Sequence, residues 1–266
     1  MLFSPNGTFI KQVNMPELCS SHEEADTYLL LLASHASHAS HAGFNTVVIR
    51  SPDTDVTILA LFFSFAINSQ LFFRTGMKNH ARFINKNMLA AKHGKALCQA
   101  LPGLHALTGC DSTSAFVGKG KKQALRILKE PANSGARLAL ASLGHSFDVP
   151  EDVAKGVEKL ICQLYGSVDQ TCVNKMRYRM FCLRAAQSSQ LPPCQDALLQ
   201  HILRANYQAA IWRHLLVPRP NVPSPDGCGW KLEDGALRVH WMNQEPAPTE
   251  LLELVSCGCK TGCLSR

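Results

Sequence analysis

Three small groups of acids stand out in the chain: Glu24-Ala25-Asp26, Asp53-Thr54-Asp55, and Asp111 within Leu107-Thr108-Gly109-Cys110-Asp111. Their chemistry is that of hard oxygen ligands, which suit Mg²⁺ or Mn²⁺. Two such ions roughly 3.5–4 Å apart can stabilise a phosphate in transfer and activate a water. Each acid also has a plainer role open to it. Glu24 fits a capping box with Ser21, as Glu23 does with Ser20. Asp53 or Asp55 fits the N-cap of the helix that follows, and Asp111 fits a turn. The spacing helps in part. Asp53 and Asp55 directly follow a strand, and in extended chain residues two apart share a face. Glu24 and Asp26 can share a site only near a helix's first turn, before the backbone becomes regular.

The elements that must position these acids follow from local pattern. Residues 20–26 read as a helix start, with Leu29 to Ala33 as its apolar body. Residues 46–50 are β-branched and apolar, a buried strand that stops at Ser51-Pro52-Asp53. Residues 56–67 form an apolar helix, too short for the ~20 residues that span a bilayer. Residues 70–75 read as a second strand. This alternation predicts an α/β fold, a partial parallel sheet with function at the carboxyl ends of its strands. From Lys86 the pattern turns helical, with helices expected at 86–100, 119–130, 150–165, 171–187 and 195–216. Four prolines between 218 and 225 read as a linker, and residues 228–245 as a hairpin. The expected organisation is therefore 20–130, a helical extension at 131–217, and a linker, hairpin and cysteine-rich tail at 218–266.

The order of the acids resembles the flap-endonuclease and XPG nuclease family. That family carries a Glu-Ala-Glu-Ala motif, an Asp-x-Asp after a strand, and a Gly-Cys-Asp-Tyr motif. Two departures stand in this chain: Asp26 where the family prefers Glu, and Ser112 where it prefers Tyr. The resemblance implies a PIN-like fold, with Glu24, Asp26, Asp53, Asp55 and Asp111 as catalytic, Mg²⁺- or Mn²⁺-holding acids. The expectation is convergence on one cleft, with carboxylates roughly 4–8 Å apart. A complete domain of this family begins with a strand bearing its own Asp. Residues 1–19 contain Glu17 and no Asp, so residues 20–130 correspond to the second half. The same stretch is similar to a group of animal proteins linked with mobile elements. They share Ser-Ser-His-Glu-Glu-Ala-Asp-Thr, Arg-Ser-Pro-Asp-Thr-Asp-Val and His-Ala-Leu-Thr-Gly-Cys-Asp.

A second match follows. Phe116 to Leu125 resembles the Gly-Ile-Gly-x-Lys-x-Ala segment of that family's helix–two-turn–helix. Independently of the name, Gly118 and Gly120 let backbone approach a phosphate, and amides at a helix start bind it. Lys119, Lys121, Lys122 and Arg126 add salt-sensitive, sequence-independent attraction. DNA is the expected partner, with RNA open. The helices at 150–216 carry further basic residues, Lys175, Arg177, Arg179, Arg184, Arg204 and Arg213, which extend such a surface or simply face solvent. At the C-terminus, Cys257, Cys259 and Cys263 resemble the opening of a tesmin-type CXC module. These three thiolates make an incomplete Zn²⁺ set, since a structural site takes four ligands.

Composition sets the bounds. The chain has 266 residues, 46% of them apolar, which supports a sizeable core; the net charge of +7 favours an anionic partner. Eleven cysteines and no basic-then-apolar opening predict a reducing compartment, nuclear or cytoplasmic, rather than secretion. Three Ser-His-Ala copies at residues 34–42 read either as a histidine metal tract or as a duplication lengthening a helix end. No dinucleotide fingerprint or Walker loop is present. A phosphatase-like use of Asp53-Thr54-Asp55 as nucleophile and acid is a weaker match. The readings in play are a metal-dependent, structure-selective nuclease, and an inactive nucleic-acid-binding or scaffold protein of mobile-element origin.

Overall fold

A computed structural model describes residues 15–38, 44–76, 80–183 and 188–245. The fold is mixed α/β, with a small sheet at one end and a helical body. Helix α1 (Ala25–His38) leads to β1 (Thr46–Arg50), α2 (Thr54–Phe63) and β2 (Gln70–Thr75). β1 and β2 pair in parallel, Thr46 opposite Gln70 through Arg50 opposite Arg74. The expected parallel pair is therefore present, but the sheet is not purely parallel. A third strand, β3 (Arg82–Asn85), returns antiparallel to β2. Its four residues, Arg-Phe-Ile-Asn, are too few for a period to show in sequence.

The helix expected at 86–100 is two helices, α3 (Lys86–His93) and α4 (Lys95–Leu107). The break is Gly94, whose φ of 81° is a left-handed conformation that side chains resist. α4 is buried on nearly all sides from Leu97 to Leu107, as a central helix must be when apolar all round. It packs against α2, α6 (Ser134–Ser142) and α9 (Gln195–Arg213). Between these lie α5 (Lys121–Lys129), α7 (Glu151–Leu164) and α8 (Val173–Cys182). α6 was not anticipated from the sequence. One apolar core takes side chains from Leu30 through Leu215, so residues 131–217 pack onto the first segment. The hairpin expected at 228–245 forms, as β4 (Trp230–Glu233) and β5 (Ala236–Val239).

α1 begins at Ala25, and Ser20 accepts the amide of His22 in a local turn rather than capping it. Ser34 to His38 complete the last turns of α1, so the first of the Ser-His-Ala copies lengthens a helix end; residues 39–42 lie outside the described residues. So do Arg184, Cys257, Cys259 and Cys263. No helix among the described residues is long and apolar enough to cross a membrane.

The contact of α4 with α6 is set by Gly103, because a Cβ there would collide with the carbonyl oxygen of Leu140. Backbone on backbone leaves no flexible group to move aside. Gly103→Ala is expected to cost about 1–3 kcal/mol of stability, read as a lower midpoint in urea unfolding. An unchanged midpoint would mean that the two helices are free to slide.

Candidate functional site

Each acidic group sits where a helix or turn begins, and these starts lie together. α1 packs on both α2 and β1. Asp53 is the N-cap of α2: its Oδ1 accepts the Asp55 N–H at 2.8 Å, and Ser51 Oγ accepts the Asp53 N–H at 3.0 Å. The plainer reading of Asp53 as a cap thus holds alongside any other role. Asp55 belongs to the first turn of α2, so the two acids are neighbours through helix capping, not through the extended geometry expected from the strand. Both gain from the positive end of the helix dipole. Glu24 immediately precedes α1 and Asp26 lies in its first turn, the one arrangement in which residues two apart face a common site.

Asp111 lies on the turn after α4. That turn is closed by reciprocal Cys110 and Thr113 backbone bonds at 3.2 and 3.3 Å, and Thr113 Oγ1 donates to the Ala106 carbonyl at 2.6 Å. Gly109, at φ 105°, allows the chain to leave α4 at this angle; a Cβ there would stand 2.9 Å from that of Ala115.

The acids act on one another. Partial burial raises the Glu24 carboxyl above its ordinary value, and the negative charges of Asp55, Asp26 and Asp111 push the same way. Burial likewise raises Asp26, and the nearby Asp53 carboxylate and the charges of Asp55 and Asp111 push the same way. Glu24, Asp26, Asp53, Asp55 and Asp111 therefore fall within electrostatic reach of a common region, although they come from three separate chain segments. Glu24 and Asp111 also line one cavity of about 810 Å³, which continues past Tyr207 and Gln208 towards the hairpin.

Asp55 behaves differently. Burial would raise it, but the hydrogen bond and electrostatic pull of His105 overcome this, with help from Lys121, and hold it below the usual aspartate value. His105 Nε2 donates to Asp55 Oδ1 at 2.5 Å; the imidazole is 3% exposed and the carboxylate 21%. Behind His105 stands Trp212 of α9, with ring centroids 5.5 Å apart. The indole N–H of Trp212 is buried without a formed hydrogen bond. It faces Glu24 closely enough to lower that carboxyl's pKa and offset part of its rise. The sequence pattern did not single out His105, and two of the basic residues expected on an outer surface turn inward instead: buried Arg204 donates to the Gly229 and His240 carbonyls, and half-buried Arg213 to those of Leu143 and Gln99. The available signal was His105 itself, one polar ring within the apolar stretch 100–107, where buried polar groups need partners.

The glycine–lysine segment borders the acids. Gly118 sits in an exposed turn and Gly120 caps α5 through its backbone. Lys121 begins α5 and is the cation that Asp55 feels, while Lys122 and Arg126 are exposed on the same helix. Lys119 instead lies over the ring of Tyr165, 4.9 Å from its centroid.

The donor set suits a hard divalent cation by its chemistry: neighbouring carboxylates, two of them raised by burial and by one another's negative charge. Among the described residues, however, no three His, Cys, Asp or Glu side chains form a group that could hold a metal ion as they stand. The arrangement is one of carboxylates within electrostatic reach of one another, backed by His105 and Trp212 and within reach of the Lys121 charge. No family model, curated protein or solved structure matches the chain.

Proposed function

We propose that the chain is a metal-dependent, structure-selective nuclease of the PIN-like, flap-endonuclease type, or the second half of one, acting on DNA or RNA phosphodiesters in the nucleus or cytoplasm. What supports this reading is that acids from three chain segments, Glu24, Asp26, Asp53, Asp55 and Asp111, stand at the starts of α1 and α2 and on the turn after α4, with Glu24 and Asp111 lining one cavity and Asp55 held by His105, beside a lysine-bearing helix start. These five acids would hold Mg²⁺ or Mn²⁺, which when bound supplies charge neutralisation and an activated water. Among the chain's own groups, His105 fixes the orientation of Asp55 through its 2.5 Å hydrogen bond. Such support behind a ligand typically matters 10–100-fold in affinity or activity. Lys121 and the free amides at the start of α5 receive the phosphate. Gly118 and Gly120 leave that approach open, since a Cβ at either would meet nothing within 4 Å.

A second reading has its own support. Because no three of these side chains among the described residues form a ready metal group, an inactive nucleic-acid-binding protein of mobile-element origin would keep the basic surface without the chemistry.

The deciding experiment incubates the purified chain with labelled 5′-flap DNA and Mn²⁺, beside Asp53→Ala. Cleavage that disappears in the variant is the result expected. Binding without cleavage would favour the second reading, and neither binding nor cleavage would sink both.

A further inference from the structure

We infer that the nucleic acid leaving the acidic site runs as an unpaired strand over the turn before α5 and along the outer face of α8. The direction of that path rests on the nuclease reading, while the surface itself rests on separate observations.

The first is continuity of positive charge. The charge of Lys121 reaches Asp55, and Lys119, two residues earlier, lies over the Tyr165 ring. Tyr165 ends α7. Burial raises its phenol, and the charge of Arg177 on α8 pulls the other way, so Arg177 lies within electrostatic reach of the same residue while its guanidinium donates to the Pro192 carbonyl at 2.6 Å. Tyr165 thus joins the start of α5 to α8.

The second is the face that α8 turns outward. Val173 and Met176 are buried, and the Val173 N–H is held by Glu158 Oε1 at 2.8 Å, which fixes the inner side of the helix. Outward, Lys175, Tyr178 and Arg179 fall three and four residues apart on one stripe. Tyr178 is 71% exposed and Phe181, beside it, 68% exposed.

The third is the lack of internal neutralisation. Among the described residues, the lysine and arginine ion pairs are Lys155 with Glu151 and Arg238 with Glu233. None of the cations on this path is paired, so their field is available to phosphates.

Cations interleaved with exposed aromatic rings fit unpaired bases, which offer a free face to stack and a backbone to neutralise. A duplex offers the charge without the faces. An apolar protein partner would leave the interleaved charges to be desolvated at a cost. The partner is therefore single-stranded DNA or RNA.

The test measures anisotropy of a labelled single-stranded oligonucleotide, and of its duplex, with the full chain in EDTA so that cleavage plays no part. The variants are Tyr178→Ala with Phe181→Ala, and Lys175→Ala with Arg179→Ala. The aromatic pair is expected to weaken single-strand binding roughly tenfold or more and leave duplex binding unchanged. The cationic pair is expected to weaken both and to flatten the single-strand salt dependence by about 1.4 in log–log slope, two phosphates at ~0.7 each. Single-strand binding that survives the aromatic pair, or an equal loss on the duplex, overturns the inference. Flap cleavage with Mn²⁺ on the same proteins separates this from the function proposed above. Strand binding through α8 without any cleavage keeps the inference and removes the nuclease. Cleavage with α8 variants that bind as the parent does removes the inference alone.

Discussion

Trp212→Ala is expected to lose about 3–5 kcal/mol of stability, the range for emptying a large aromatic site in a core. Against the 5–15 kcal/mol that domains typically have, that is a large fraction. The reason is specific to this position. Trp212 is 2% exposed, lies near the end of the longest helix, and packs its ring against His105. Removing it leaves a void behind the one imidazole that orients Asp55. Thermal unfolding would show a fall of roughly 2–4 °C for each kcal/mol lost in a chain of this size. Trp212→Phe separates packing from polarity. It keeps most of the ring contact but removes the indole N–H that faces Glu24. The expected result is a smaller loss of stability and a Glu24 carboxyl raised further, followed by NMR titration. A Glu24 titration identical in the parent and in Trp212→Phe would show that the N–H does not act on it.

The second large effect concerns the acids and their cation. Mn²⁺ at 100 times its dissociation constant should add about 2.7 kcal/mol to stability, or roughly 5–11 °C in midpoint. The metal-free protein carries the opposing effect. Glu24 and Asp26 have folded pKa values raised above 4.5 and 3.8, so their contribution is fully present below those values and lost as pH rises through the raised ones. At neutral pH they repel their neighbours. Asp55 has the opposite sign: its stabilisation is present above 3.8 and disappears as pH falls through its lowered value. Asp26→Asn is therefore expected to raise the metal-free midpoint at pH 7 and to abolish the rise with Mn²⁺. The metal-free gain should fade as pH falls through the raised value of Asp26, below which the parent's carboxyl is itself protonated. Differential scanning fluorimetry with and without Mn²⁺ across pH 4–8 reads all of this. A variant that is less stable without metal, or that still gains with it, would remove Asp26 from the site.

Under the function proposed above, destabilisation at Glu24 and Asp26 that a cation would release is what a functional site would show in energetic terms. Asp53 caps α2, which any Asp before a helix can do, and its charge also acts on Asp26 of α1. Under the function proposed above, cap and ligand would be compatible, because a carboxylate has two oxygens and the Asp55 amide takes Oδ1.

The sequence by itself determined what is local. The β-branched run at 46–50, the apolar helix after it, the strand at 70–75 and the long helix from Gln195 are all present within a few residues of expectation. Their periods and caps are written in neighbouring residues. The three acidic groups were legible for the same reason, as carboxylates at element boundaries. Tertiary structure decided the rest. Gly94 split one expected helix into two, because the chain must turn there to bring α4 under α2 and α9. β3 joined antiparallel through pairing with β2 that four residues cannot announce. His105 meets Asp55 across 50 residues of chain, and Trp212 reaches them from α9. Such contacts depend on which buried faces meet, and that is fixed by how the whole core packs rather than by any local pattern.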